Sequence, residues 1–428
     1  MLVLLMVVLF LALVVLGVPI AFSMAVSSSM FIFAEGRVPL ALITQRLFSG
    51  VDSFPLMAVP FFILSGLVMD SGGISRRLIR LSKSLVGHIR GGLAMVVTVA
   101  EIFFSGISGS TTADISAIGS TLIPAMKRAG YSADQAAAIV AGAASMGVLI
   151  PPCIMMVVLG SMVNISVGKL FIAGFLPGLL MALGLLMLIH VQARRGILPH
   201  ERGVFSWREI AASLADSLTA LMLPVIIFGG ILLGVATPTE IGAVAAIYSV
   251  AISIFVFREL DWSALLAVLE KTTVLTGVAL LLIGVASTFS WILASQQVPA
   301  VIASFMLGIS NEPWVFMGLS VAVFLLAGVF LEGLPALIVL VPILLPISTT
   351  LGIDPIHYAI VTIGAVGVGI FMPPLGIGIL LASALAERRV DQVTRTFMPY
   401  FWTLVLALIV IAYVPAISTL APRLIIRQ

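Results

Sequence analysis

Charge is scarce in this sequence. Only 9% of its 428 residues are Asp, Glu, Lys or Arg, against roughly 25% in an ordinary soluble domain. So few charges cannot cover the water-facing surfaces of a chain this long, and with 61% of the residues hydrophobic, lipid has to be the solvent for most of it. Cysteine is nearly absent: Cys153 stands alone, which rules out a disulfide within the chain. The histidines, His88, His190, His200 and His357, are too scattered for a metal site. Strict apolar–polar alternation is missing as well, and transmembrane β-strands need it over segments of about ten residues, so an outer-membrane barrel is excluded. The net charge of +3 is small and the basic residues fall between apolar runs, a pattern of membrane orientation and not of nucleic-acid binding. No Lys or Arg precedes Arg37. The basic start of a cleaved signal peptide is therefore lacking, and the N-terminus is expected to be mature membrane structure.

What the chain does contain is a succession of apolar runs, near 2–18, 19–34, 55–69, 93–126, 135–159, 171–191, 218–235, 237–257, 274–293, 314–350, 357–382 and 397–418. Several are shorter than the roughly 20 residues a full helical span needs. Two long ones, 93–126 and 314–350, are interrupted near the middle by SGISGSTTAD and EGLP, and each reads as a helical hairpin that enters the membrane and returns. The stretches 36–53, 75–92 and 258–273 mix apolar and basic residues and fit helices lying flat at the interface.

The halves of the chain align with each other. Gly106 matches Gly328, Pro124 matches Pro346, Gly130 matches Gly352 and Gly142 matches Gly364, each pair 222 residues apart. Pro151 and Pro152 match Pro373 and Pro374, and Pro177 matches Pro399, at the same offset; Pro19 matches Pro238 at 219. This is the signature of a tandem duplication. Loop charges then reverse between the copies. The stretch 70–92 carries Arg76, Arg77, Arg80, Lys83 and Arg90, whereas 292–313 has no Lys or Arg. Lys127 and Arg128 face a counterpart with only Asp354, and Lys169 faces Arg388, Arg389 and Arg395. Basic loops favour the cytoplasm, so the copies are expected to be inverted. The expected layout is an all-α polytopic membrane protein: a first repeat at 1–195 with a hairpin near 93–126 and a broken helix at 135–159, a cytoplasmic linker at 196–216, and an inverted repeat at 217–428 with a hairpin near 314–350 and a broken helix at 357–382. Each repeat has about five crossings and one hairpin. Arg423 and Arg427 run against this count, which places the C-terminus outside.

Four irregular elements could carry chemistry. The hairpin tips, Ser105 to Asp114 and Gly328 to Pro335, leave backbone groups that survive at membrane depth only where protein, ions or water satisfy them. Opposite them stand GAASMGVLIPP at 142–152 and GAVGVGIFMPP at 364–374, whose prolines free carbonyls one turn earlier. Helix N-termini aimed at anions, with exposed carbonyls aimed at Na⁺ or H⁺, form the site of inverted-repeat carriers. A coupled-ion carrier of an anionic substrate is the direct reading. Among carboxylates at depth, Glu332 reads either as an ion-site neighbour or gate or as a cap of the second hairpin arm. Asp114 reads as the N-cap of its arm, Glu240 as part of a TPxE helix start, and Glu101 has no assignment. Arg37 and Arg46 read as solvated loop charges that could instead steer an anion, and Cys153 as a packing residue. No Ser/His, paired-Asp or metal-ligand arrangement clusters, so an enzyme is not expected. Internal duplication fits a carrier better than a channel.

The segment EIFFSGISGSTTADISAIGSTLIPAMKRAGYSADQAAAIVAGAASMGVLIPPC resembles the large membrane subunit of tripartite ATP-independent periplasmic (TRAP) transporters. Further blocks follow the family's order: PFFILSGLVMDSGGIS at 60–75, GVATPTEIGAVAA at 234–246, GVFLEGLPALIVLVPILLP at 328–346 and GIFMPPLGIG at 369–378. The resemblance implies a Na⁺-driven elevator of scaffold and transport domains in the inner membrane of a bacterium or archaeon, importing an organic acid without an organic cofactor. A periplasmic substrate-binding protein would deliver the acid, and a small four-helix membrane subunit, expected as a separate polypeptide, would be the partner. It further implies that each tip and the broken helix of its own repeat bind Na⁺. Those residues are Ser108, Gly109 and Ser110 with Ser145, Met146 and Gly147, and Gly328, Glu332 and Gly333 with Gly364, Gly367 and Gly369. Substrate would lie between the tips, near Ser110, Thr111, Thr112, Pro151, Pro152, Pro373 and Pro374. A stand-alone Na⁺ or H⁺ symporter of carboxylates is the alternative.

Overall fold

The structure, a computed structural model, describes residues 2–36, 38–199, 203, 205–310, 312–331 and 333–425, which are helical with no strand among them. In the first half the helices are α1 (Leu2–Val15), α2 (Ile20–Glu35), α3 (Ala41–Val51), α4 (Ala58–Ser71), α5 (Ile74–Val86), α6 (Gly92–Ser108), α7 (Thr111–Arg128), α8 (Ala133–Gly147), α9 (Ile154–Met162) and α10 (Val167–Arg194). The second half has α11 (Trp207–Leu232), α12 (Pro238–Ala251), α13 (Trp262–Ser295), α14 (Val298–Ile309), α15 (Pro313–Phe330), α16 (Gly333–Thr350), α17 (Pro355–Gly369), α18 (Ile377–Leu385), α19 (Val390–Tyr413) and α20 (Ala416–Ile425). Among the described residues, eight helical segments are long and apolar enough to cross a bilayer.

Local chemistry sets these boundaries. Ser132 and Gln135 close a capping box at the start of α8, and Thr237 and Glu240 close another at α12, each pairing two N–H groups that the first helical turn leaves without partners. Glu240 therefore has the capping role read from TPxE: its Oε2 accepts from the Thr237 N–H at 2.8 Å. Asp261 caps α13 by accepting from the Ala264 N–H at 2.7 Å. Helix ends also recur at the sequence offset. α6 and α15 end at 108 and 330, α7 and α16 begin at 111 and 333, and α8 and α17 end at 147 and 369.

The halves differ where the first contains Pro55. There α3 and α4 are separate, with a 3₁₀ turn at Phe54–Met57, whereas α13 is one helix of 34 residues. The stretch 258–273 is thus not the separate flat helix expected from its composition. No Gly or Pro falls between 262 and 276 to interrupt it, and at 1.5 Å per residue α13 extends about 51 Å, beyond the roughly 30 Å hydrocarbon core. α11 likewise begins at Trp207, within the stretch read as linker. Ser206 caps it, and Arg80 of α5 binds Glu209 at 3.0 Å and Asp216 at 3.1 Å on its first turns. Arg77 adds a bond to Glu259 at 2.9 Å and stacks 3.6 Å above the Phe257 ring, so α5 is tied to both ends of the α11–α12 pair.

Packing sorts the helices into two groups. α4 packs against α12 and α13, and α13 also covers α2 and α3. The hairpins α6–α7 and α15–α16 pack on the broken pairs α8–α9 and α17–α18, with α10 and α19 behind them. The seam between these groups, where α4 and α13 meet the hairpin tips, holds the cavity described next.

Candidate substrate and ion site

Tip one is a tight reversal. Gly109 takes a left-handed conformation, φ +61°, at the end of α6, and Ser110 occupies the N-cap position of α7 without a side-chain capping bond. The tip lies on the proline break of its own repeat. The Ile154 N–H donates to Gly109 O at 3.5 Å, and a Cβ on Gly109 would lie 2.9 Å from Pro152 O. In the second repeat Gly328 approaches α17 as closely: a Cβ there would sit 2.8 Å from Val366 O and 2.9 Å from the Gly369 Cα. Gly333, the first residue of α16, packs on Met155 and Ile370. The Pro151–Pro152 and Pro373–Pro374 peptide bonds are both cis.

Not every expected ion-site residue meets its tip. Ser145 and Gly367 meet each other, the Ser145 hydroxyl donating to Gly367 O at 3.4 Å. Gly364 packs on Leu149 and Leu408, and Met146 is buried in the core. Gly147 faces α6, where Ser105 and Glu101 occupy the space a Cβ would take. Glu332 lies outside the described residues, as does Arg37, and of Ser108 only its place in the chain, as the last residue of α6, is described.

Between the tips is a cavity of about 220 Å³. Tip one contributes Gly109 to Ala113 and tip two Gly333 to Pro335; Met155 and Ile370 lie beside them. The expected residues Ser110, Thr111 and Thr112 line it, and the four prolines are not among its lining residues. The opposite wall is one that the sequence does not announce. It is Ile63, Gly66 and Leu67 of α4 with Leu275, Val278, Ala279 and Leu282 of α13, mostly apolar residues on long helices that carry no sequence signal. Among the described residues, no Lys or Arg lines the cavity. Its polar groups are the three hydroxyls of tip one and the first turns of α7 and α16, where N–H groups have no intrahelical acceptor and the helix dipole favours negative charge.

Two carboxylates lie behind tip one, and Asp114 differs from expectation. Asp114 is not the N-cap of α7, which is Ser110; it lies in the first turn with its side chain turned inward and buried. Ser105 Oγ is 3.0 Å from both Asp114 Oδ2 and Glu101 Oε1. Glu101 is fully buried. Cys153 is buried too, as its packing role requires, and Arg46, read as a solvated charge, sits 5.4 Å above the Trp291 ring.

The chain matches the family described as "Tripartite ATP-independent periplasmic transporter, DctM component" over residues 7–417. It belongs to that family. Among its relatives, the C4-dicarboxylate TRAP transporter large permease protein DctM of Pseudomonas aeruginosa is 39% identical, with 94% of each chain covered. The sialic acid TRAP transporter large permease protein SiaM of Vibrio cholerae is 35% identical over 95% of each chain. The YdaH transporter of Alcanivorax borkumensis shares the fold, with a TM-score of 0.65 at 18% identity over 87% of this chain and 88% of that one. The protein is therefore the large permease component of a TRAP transporter, a multi-pass protein of the bacterial inner membrane and not an enzyme.

Proposed function

We propose that this TRAP permease imports a small organic acid with Na⁺ as the coupling ion, the acid held in the cavity between the hairpin tips. The observation that carries the reading is the meeting of two helix N-termini, those of α7 and α16, in one cavity that is otherwise apolar. Such ends bind carboxylates through backbone N–H groups without a cationic side chain. Relatives named for C4-dicarboxylates and sialic acid agree on an anionic cargo. The volume of about 220 Å³ lies below the roughly 300–1,000 Å³ of pockets for drug-sized ligands, which favours a small acid of the dicarboxylate kind. Na⁺ would sit where each tip presses on the broken helix of its own repeat, at Gly109 and Ser110 with the Pro151–Pro152 break and at Gly328 and Gly333 with Gly369.

Movement follows from the seam. The hairpins, the broken helices, α10 and α19 would travel as a transport domain against a scaffold of α1 to α4 and α11 to α13. Two inverted repeats suit that motion, because exchanging their conformations opens the site to the other side. The ion pair between Asp134 and Arg388 at 3.5 Å supports inversion: it joins the first turn of α8, just after the first hairpin, to the loop after the second broken helix, and basic residues stand beside both in sequence. A periplasmic binding protein and a small membrane subunit would complete the tripartite assembly.

Uptake of a panel of labelled organic acids into proteoliposomes tests this. With the small subunit present, uptake is expected only when the binding protein and an inward Na⁺ gradient are both supplied. Uptake that proceeds without any binding protein would instead support a stand-alone symporter.

A further inference from the structure

Glu101, Ser105 and Asp114 occupy a sealed pocket between the arms of the first hairpin and α8, with relative exposures of 0%, 1% and 2%. The pocket is rich in acceptors. Ser105 has one hydrogen to donate, yet Glu101 Oε1 and Asp114 Oδ2 both lie 3.0 Å from its Oγ, so one of those contacts has no hydrogen of the serine's to fill it. The second oxygen of Glu101, Oε2, is buried with no hydrogen-bond partner. One turn earlier on the same face of α6, Thr98 is also fully buried and its Oγ1 has no partner. The facing residue is Gly147, and Ser105 Oγ and Glu101 Oε1 take up the space a Cβ there would need, Oε1 at 2.9 Å from it; only glycine lets the two side chains lie against α8. Among the described residues no ion pair reaches Glu101.

A buried carboxylate without a compensating charge is among the most costly arrangements a protein can hold. Convergent carboxylate and hydroxyl oxygens are the ligands that hard cations select. We propose that Glu101, Ser105 and Asp114 form a Na⁺ site of their own, built from side-chain carboxylates behind the first hairpin tip, with Thr98 completing its wall. It goes beyond the proposed function, in which Na⁺ meets tip and proline-break backbone. Because the ligands span both arms of one hairpin, an ion here fixes the spacing of α6 and α7, and with it the position of the tip that faces the cavity.

The test is a Na⁺ titration of thermal stability, using the full chain in nanodiscs at fixed neutral pH with choline chloride holding ionic strength constant. A ligand bound only by the folded state raises the melting temperature as its concentration rises. The wild type is expected to respond to Na⁺. Glu101→Gln, which keeps the shape and removes the charge, should need roughly tenfold or more Na⁺ for the same shift, and Glu101→Asp should restore part of the response. Ser105→Ala carries the same test if Glu101→Gln does not reach the membrane. Variants that titrate like the wild type would overturn the site. So would a wild type that ignores Na⁺ and gains stability only as pH is lowered, since the pocket would then hold a proton. Failure of the coupled-transport reading is separate: it appears as uptake that ignores the Na⁺ gradient, and the titration does not measure uptake.

Discussion

Ser145 donates its hydroxyl to the carbonyl of Gly367 at 3.4 Å, and these residues occupy equivalent positions in the two halves, 222 apart. The broken helices α8 and α17 therefore meet at corresponding positions of their sequences. The contact is tight on the Gly367 side, where a Cβ would press on Val148 and stand 3.4 Å from Ser145 O. Gly367→Ala is expected to destabilise by about 1–3 kcal/mol through overpacking. Ser145→Ala removes only a long hydrogen bond and should cost about 1 kcal/mol or less. Thermal unfolding of both variants in one detergent gives the order directly, and the reverse order would mean that the helices do not meet as described.

Gly109 combines two constraints that Gly352 separates. Both have positive φ, +61° and +77°, but a Cβ on Gly109 would lie 2.9 Å from Pro152 O, and one on Gly352 would meet nothing within 4 Å. Alanine at either position carries the strain of left-handed backbone, about 1–2 kcal/mol. Only Gly109→Ala also lifts the tip from the proline break, where Ile154 N–H bonds Gly109 O. Uptake by Gly109→Ala should fall more than roughly tenfold, a loss equivalent to about 1.4 kcal/mol or more, and Gly352→Ala should transport nearly as wild type when both are normalised to protein in the membrane. Equal loss in the two would remove the tip contact from the mechanism.

These positions also mark what the sequence makes legible. Gly109, Pro151 and their partners in the second half stand out because glycine and proline have few substitutes where the backbone turns or breaks, and their repetition at one offset is enough to locate the tips and broken helices along the chain. Side-chain meetings across helices leave no such trace. Nothing in the spacing of Glu101 and Asp114 says that Ser105 bridges them, because their meeting depends on how α6 and α7 fold back on each other. The α13 wall is invisible for another reason: Leu275, Val278 and Leu282 are the residues any lipid-facing helix would carry. The 34-residue length of α13 is hidden too, since its amphipathic start resembles that of α3, and only the missing counterpart to Pro55 distinguishes them.

Asp261 offers a pH-dependent contribution outside the membrane spans. Its carboxylate accepts from the Ala264 N–H at 2.7 Å and the Ser263 hydroxyl at 2.9 Å, and these bonds, the backbone one foremost, hold it below the ordinary carboxylate range. A carboxylate so held adds stability at pH values above its unfolded pKa of about 3.9 and loses it as pH falls through the lower folded value. Asp261→Ala should therefore lower the melting temperature at neutral pH. The difference from wild type should shrink as acid protonates Asp261 in the folded state. A difference that stays constant across that range would assign the effect of the substitution to packing and not to the charged cap.

The cavity itself can be closed from its α13 side. Ala279 lines it together with Thr111 and Thr112 and is only partly buried against the core, so a larger side chain has the cavity to extend into. Ala279→Trp is expected to abolish uptake of every acid the wild type carries, with a change in stability of about 1 kcal/mol or less because the added volume enters the cavity. Ala264→Trp, on the first turn of the same helix and absent from the lining, is the matched control and should leave uptake intact. Substrate binding, read by protection of the detergent-solubilised chain against thermal unfolding, should disappear in Ala279→Trp alone. If that variant still transports, the acid does not pass between the hairpin tips and α13, and the seam between the two helix groups is not the substrate site.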